Sequence, residues 1–259
     1  MNNETGTRLQ GKTALVTGST RNIGRAIAEA MAVEGAFVIV SGRDASRGQS
    51  VVNSITHDGG RAAFVRAELD GSAASSSQLA TEALSVADGR LDILVNNAGI
   101  YPAVSTVDTD EDTFDRMYAV NVKAPYFLTA AIVPSMIEVG GGVVINLGSW
   151  VARLSVPVGA LYASTKGAME TLTRAWSAEF GTHGIRVNAV SPGVIRPPEL
   201  ATDVDFPGES MMKGTPAAVS GHPSAIGAAV VYLASDDSSF VHGTVLDVDG
   251  GRTGVAVIS

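Results

Sequence analysis

The sequence predicts an α/β fold: one doubly wound parallel sheet of about seven strands, with helices on both faces, in a single domain. Three observations carry this. Short apolar runs alternate with helix-length segments from residue 12 to residue 251 without a repeat, linker or composition break, and such alternation builds parallel, right-handed sheets. The 259 residues are 45% apolar and 17% charged, which suits one domain with a large buried core. Aromatics are only 5% while glycine reaches 29 residues, so the layers are built mainly from small and β-branched side chains.

Taken in order, residues 1–10 read as a polar tail, with the domain spanning 11–259. Residues 12–17, KTALVT, form a buried strand bounded by glycines. The loop Gly18-Ser19-Thr20-Arg21-Asn22-Ile23-Gly24 follows, then a helix over 25–35 with Ile27 and Met31 four apart and Gly35 as its stop. A second strand covers 36–42 and a helix 46–56. A third strand covers 61–69, a helix 75–87 and a fourth strand 91–99. A long helical region spans 110–139, expected to kink near Pro125. A fifth strand covers 141–149, and a loop at 151–159 separates it from a helix over 161–181. The sixth strand is 184–193, followed by a Pro-, Gly- and Ser-rich stretch, 194–222, with weak periodicity and the character of a substrate lid. A helix over 224–234 and a strand over 243–251 close the chain.

Composition excludes several functions. Without cysteine there is no disulfide, thiolate nucleophile or cysteine metal site. His57, His183, His222 and His242 have no ligand spacing, so no metal is expected. The net charge of −8 and the lack of a basic stripe argue against nucleic acid and anionic membranes. The N-terminus has no apolar signal core, and no run of membrane-spanning length escapes Gly, Pro or charge. A cytoplasmic protein is expected.

Two stretches carry chemistry. A strand, a glycine-rich turn and a helix make a phosphate site, because the first N–H groups of the helix point at the anion and the glycines let the backbone approach it. A plain βα turn is the alternative; the flanking strand and helix favour a dinucleotide. An acidic residue at the end of the second strand would hold a free ribose 2′-hydroxyl. Here the sequence is Ser41-Gly42-Arg43-Asp44, and Arg21, Ser41 and Arg43 suit a 2′-phosphate instead. NADP(H) is therefore preferred, and NAD(H) remains possible. The second stretch places Tyr162 and Lys166 four apart, on one helix face, with Ser149 thirteen residues upstream. A nearby ammonium favours the phenolate and lowers the tyrosine pKa, making the pair a proton donor and acceptor. By itself Tyr-x-x-x-Lys is equally an exposed helix face.

Together these motifs resemble the short-chain dehydrogenase/reductase family nearly end to end. TGSTRNIG resembles its glycine loop, Asn96-Asn97-Ala98-Gly99 its Asn-Asn-Ala-Gly motif, and Asn121 its helical asparagine. Ser149, Tyr162 and Lys166 match its catalytic set, and Pro192-Gly193 its turn after the sixth strand. The resemblance implies a Rossmann-like fold and hydride transfer between a nicotinamide cofactor and a small or medium carbonyl or alcohol. Tyr162 would be general acid and base, and Lys166 would lower its pKa and hold the ribose. Ser149 would orient the substrate, and Asn121 would hold a relay water. Glu68 and Leu69 would meet the adenine; Asn97, Ala98 and Gly99 would line the adenosine side. Ile195, after the Pro-Gly turn, would help hold the nicotinamide. Homo-oligomers, tetramer or dimer, through the long helices are implied too. The chain departs at Asn22, which replaces the middle glycine but tolerates a left-handed backbone, at Pro197, which replaces a threonine, at Ala152 and at Glu68-Leu69. Trp150 heads the expected substrate wall, with Tyr101, Val151, Arg153, Leu154, Val156, Phe206, Met211 and Met212. Two alternatives are a 3-oxoacyl-thioester reductase and, from a different class, a non-catalytic NADP(H)-sensing module. No basic cluster for an acidic carrier protein appears at residues 136–142 or 178–184, and a sensor has no need of the serine–tyrosine–lysine set.

Overall fold

Seven short apolar segments pair side by side to form the centre of the molecule. The computed structural model describes residues 7–154, 156–157, 159–200, 204 and 206–256. The strands are β1 (Thr13–Val16), β2 (Phe37–Gly42), β3 (Arg61–Arg66), β4 (Ile93–Asn96), β5 (Gly142–Leu147), β6 (Ile185–Pro192) and β7 (Val245–Val248). They run parallel in the order β3-β2-β1-β4-β5-β6-β7. Among the described residues the helices are α1 (Asn22–Val33), α2 (Ala45–His57), α3 (Ala73–Val86), α4 (Glu111–Tyr118), α5 (Ala124–Glu138), α6 (Ala160–Phe180) and α7 (Pro223–Ala234).

A strand buried on both faces reads as a continuous apolar run, yet successive side chains still go to opposite sides. Ala14, Val16, Val38, Val40, Ile93, Val95 and Ile145 pack with Ile27 and Met31 of α1, Val51 and Ile55 of α2 and Ile226 and Val230 of α7. The alternating Leu15, Ile39, Leu94 and Val144 pack on the other face with Leu79 of α3, Leu128 and Ile132 of α5 and Met169 and Trp176 of α6. The two faces are the two halves of the core. The chain leaves β1 towards β2 and β3, then returns to β4 on the other side of β1. The C-terminal ends of β1 and β4 therefore diverge into a crevice, where ligands of such sheets bind.

Several boundaries differ from those expected. The N-terminal tail is shorter than ten residues: Leu9 is fully buried in the core and Arg8 pairs with Glu34; residues 1–6 lie outside the described residues. β3 ends at Arg66 rather than residue 69. The long helical region begins at Glu111, capped by Asp110, whose side chain accepts from Thr113 N at 2.7 Å, and it contains a π turn over Ala119–Lys123. The irregularity thus lies near Pro125, as expected, and takes the form of a π turn that ends two residues before it and runs into α5 without a break. The run Glu111–Glu138 is long and apolar enough to cross a membrane by composition. In this fold its apolarity is that of a core helix, since Leu128, Ile132, Val133 and Met136 are buried under the sheet. The stretch 194–222 is only partly irregular: Pro207–Met212 makes a 3-10 turn and Met212 is buried. Lid residues 201–203 and 205, and loop residues 155 and 158, lie outside the described residues.

Candidate active site

The crevice at the β1–β4 divergence is a cleft of about 1380 Å³. Gly18, Thr20, Arg21, Asn22, Ile23 and Gly24 line one wall, and Asn97, Ala98 and Gly99 the opposite one. The glycine loop has the close approaches that its residue types require. Gly18 has φ +63, and a Cβ there would stand 2.9 Å from Ala98 Cα. A Cβ on Gly24 would stand 2.3 Å from Gly18 O. Asn22 takes φ +45, the left-handed conformation expected of an asparagine replacing glycine. Its Oδ1 is buried without a partner. α1 starts here with no side-chain cap and no acidic residue in its first turn. Free N–H groups, a positive helix end and an orphaned polar atom suit a dinucleotide pyrophosphate.

Asn97 turns its amide to the loop, with Nδ2 donating to Thr17 O (2.8 Å) and Gly18 O (3.1 Å). Thr17 Oγ1 accepts from Asn97 N and Ala98 N, both at 3.0 Å. The asparagine motif thus fastens the cleft's two walls together. Ser19 faces away from the cleft: its hydroxyl donates to Val16 O (2.6 Å) and accepts from Ser41 N (3.0 Å), so it braces β1 against β2.

At the cleft's far end Ser41, Gly42, Arg43, Glu68 and Leu69 come together as expected, joined by Arg47, Ser50 and Asp70. Arg47 and Ser50 had a readable signal: three apart at the start of α2, they share a face that looks back at the β2 terminus. Arg43 stands 3.8 Å from Glu68, and both are well exposed. Asp70 is held at about 2 by hydrogen bonds from Ser75 and Ser72. Thr20 fills the space above Gly42, where a Cβ would meet Thr20 Cγ2 at 2.7 Å. A side chain at the position that would carry a ribose-binding carboxylate would have to displace the Thr20 methyl.

Beyond Gly99, α6 brings Tyr162 and Lys166 to the end of β5. An ideal Cβ on Gly99 would stand 3.4 Å from Asn121 Oδ1 and 3.8 Å from Lys166 Nζ, which places both beside the cleft. Lys166 is buried, donates to Leu147 O at 2.8 Å and has Nζ 5.6 Å from the Tyr162 ring centre. The Ser149 hydroxyl lies near enough to the Tyr162 phenol to lower it, and it accepts from Val151 N at 3.5 Å. Asn121, in the π turn, accepts from Ile100 N (2.8 Å) and donates to Ile100 O (3.0 Å) and Thr165 Oγ1 (3.1 Å). It ties the turn after β4 to α6. The expected lowering of the phenol is not found. Burial pushes Tyr162 up to about 12, with Tyr101 adding to the rise and Ser149 opposing it. Burial likewise pushes Lys166 down to about 8. Desolvation of both buried groups dominates.

The substrate wall is closed. Trp150, Val151, Val194 and Met212 form a small apolar cluster, with Val156, Phe206 and Tyr162 against it. The Tyr101 ring lies 4.6 Å from that of Tyr162, tilted by 55°. Pro192, Gly193 and Ile195 are not on the cleft. Pro192 pairs with Val248, a Cβ on Gly193 would stand 2.5 Å from Asp249 Cα, and Ile195 bridges to Gly221. Pro197, in the threonine's place, does line the cleft. No group of His, Asp and Glu among the described residues is arranged to hold a metal.

A family profile described as Enoyl-(Acyl carrier protein) reductase matches residues 18–253, the whole region from the glycine loop through β7. The chain belongs to the short-chain dehydrogenase/reductase family. A solved "short chain dehydrogenase/reductase family protein" is 43% identical, superposes with a TM-score of 0.85, and the match covers 96% of this chain and all of that one. The 7alpha-hydroxysteroid dehydrogenase of Clostridium sardiniense is 38% identical over 253 residues, 94% of each chain. The cyclopentanol dehydrogenase of a Comamonas species is 34% identical over 248 residues, 95% of this chain and 98% of that one. This dehydrogenase/reductase is accordingly an oxidoreductase of alcohol or carbonyl substrates with a nicotinamide cofactor.

Proposed function

We propose that this short-chain dehydrogenase/reductase transfers a hydride between NADP(H) and a secondary alcohol or ketone of small to medium size, with Tyr162 as proton donor and acceptor. The observation that carries it is that Gly99, on the cleft that ends among Arg21, Arg43 and Arg47, lies against Lys166, whose Nζ is 5.6 Å from the Tyr162 ring centre on the same helix. The nicotinamide supplies or receives the hydride. The protein's part is the proton. In reduction Tyr162 donates it to the developing alkoxide; in oxidation Tyr162 takes it from the hydroxyl. Ser149 donates a second hydrogen bond to the same substrate oxygen, where charge develops. Lys166 would hold the ribose hydroxyls, while the Asn121 side chain is engaged with Ile100 and Thr165, so a relay water at this residue would use its main chain.

NADP(H) is favoured over NAD(H) by the three guanidiniums and by Thr20 filling the space above Gly42. Glu68, Leu69, Asn97 and Ala98 complete the adenosine side. The apolar Trp150–Val151 turn against Tyr162, and the Tyr101 ring beside it, suit cyclic or open-chain ketones and alcohols, in keeping with relatives named for cyclopentanol and a hydroxysteroid. A carrier-protein thioester is the second reading, and residues 136–142 and 178–184 carry no basic cluster for it. The accompanying reading is a cytoplasmic homo-oligomer.

The test is a panel of cyclic and linear ketones, aldehydes, sugars and 3-oxoacyl thioesters, followed by NADPH absorbance. Turnover of ketones with NADPH, faster than with NADH, is the expected result. Binding of NADPH with no turnover across the panel contradicts it and favours a sensing role.

A further inference from the structure

Three ionic side chains meet directly behind Ser149, and none of them handles the proton. Arg153 closes the 3-10 turn Trp150–Ala152 that follows Ser149. Its Nη1 donates to Asp247 Oδ2 at 2.7 Å and its Nη2 donates to Asp247 Oδ1, a two-bond fork onto β7. Its Nε stands 3.9 Å from Glu170 Oε2. Glu170 lies on α6 one helical turn past Lys166 and two past Tyr162. Its side chain is 8% exposed. Its Oε1 is buried with no hydrogen-bond partner and lies against Gly148, where a Cβ would stand 3.1 Å away. Glu170 thus reaches under the residue before Ser149, while Arg153 fixes the turn after it.

An isolated surface ion pair is worth little, and Arg153 and Asp247 are partly exposed. Two features set this cluster apart. The fork fixes direction as well as distance, which a lysine point charge would not. Glu170 is buried on the same helix stripe as the proposed proton donor, and burial raises its carboxyl against the pull of Arg153. Leaving a buried carboxylate such as Glu170 without its cation is costly, so Glu170 and Arg153 hold each other in place. Apart from the cluster, the serine-bearing backbone is held by Gly148 N donating to Val190 O (2.8 Å) and by the bonds of its own turn.

We propose that Arg153, gripped by Asp247 and Glu170, is a positioning residue that sets the Ser149 hydroxyl against the Tyr162 phenol. This rests on the acid–base reading of Tyr162 given above. The groups facing Tyr162 are Ser149, Tyr101 and Lys166. Of these, Ser149 lowers the phenol, and a loosened serine lets it rise.

The experiment is the pH profile of kcat for cyclopentanol oxidation with NADP+, for the wild type, Arg153→Met, Arg153→Lys, Asp247→Asn, Ser149→Ala and the double variant Arg153→Met/Ser149→Ala. A parallel ultraviolet titration of the phenolate, taken as the difference from the matching Tyr162→Phe protein with NADP+ bound, needs no turnover. Arg153→Met and Asp247→Asn are expected to move the rise in kcat, and the phenolate midpoint, to higher pH by about half to one unit, in the direction of Ser149→Ala. At fixed pH kcat falls about 10- to 100-fold, as for a small misplacement of a reacting group, with NADP+ affinity unchanged. Arg153→Lys recovers part of the loss, and the double variant behaves as Ser149→Ala alone. Unchanged midpoints in both Arg153→Met and Asp247→Asn, or shifts that add in the double variant, overturn the proposal. Full activity in Tyr162→Phe would instead overturn the underlying acid–base reading.

Discussion

Lys166 is the residue at which this chain gives up stability. Its ammonium is buried with a single hydrogen bond, to the Leu147 carbonyl. An unfolded lysine keeps its proton to about 10.5, while this one releases it near 8. Between those values the unfolded chain binds more protons, so stability rises with pH through that window, and below it the penalty is fully present, about 3 kcal/mol. Allowing about 1 kcal/mol for the lost hydrogen bond, Lys166→Met should stabilise the ligand-free protein by about 2 kcal/mol at pH 7. Thermal unfolding followed from pH 7 to pH 10 checks this; a gain that does not shrink with rising pH would contradict it. At the other end of the cleft, Arg43→Ala should weaken NADPH binding by about tenfold or more, the weight of a charge-assisted hydrogen bond, and leave NADH within about twofold. Titration by nicotinamide fluorescence decides, and equal losses for both would remove Arg43 from a 2′-phosphate site.

Among the elements, the π turn at Ala119–Lys123 does what a straight helix could not. It lets one side chain, Asn121, bond both main-chain groups of Ile100 and the hydroxyl of Thr165. Asn121→Ala removes all three bonds in a buried place and should cost about 2–4 kcal/mol in urea unfolding; a loss below about 1 kcal/mol would mean that the turn holds itself. The order of strands and helices, the glycine loop and the Tyr162–Lys166 stripe were legible in the sequence because each is written in local periodicity and spacing. Pro125 pointed to an irregularity nearby but not to its form as a π turn, nor to the bonds Asn121 makes with Ile100, 21 residues away. The inward role of Ser19 was not legible either, because a loop serine reads the same whether its hydroxyl meets a ligand or a strand. The lid's apolar residues were equally ambiguous: Met212 proves to be core, since walls and cores draw on one set of residue types. The Arg153–Asp247 fork joins positions 94 residues apart, beyond any local pattern.

Across the whole molecule, several aromatic side chains are exposed, and the homo-oligomer proposed above would use such surfaces. Phe114 and Tyr126 stand out on α4 and α5, and Phe240, before β7, is 100% exposed. A Cβ on Gly167 would meet nothing within 4 Å, so α6 has open space at this position. Light scattering at micromolar concentration should find a dimer or tetramer, and Gly167→Arg should yield smaller species; a wild-type monomer would contradict the assembly. The central claim is that the cleft binds the dinucleotide through one set of residues and moves the proton through another. The measurement that separates them is Tyr162→Phe, assayed for NADPH affinity and for ketone turnover on the same preparation. The account predicts affinity within about twofold of wild type and kcat reduced by about 10²-fold or more, the usual weight of a positioned acid–base group. Turnover at the wild-type rate would contradict it.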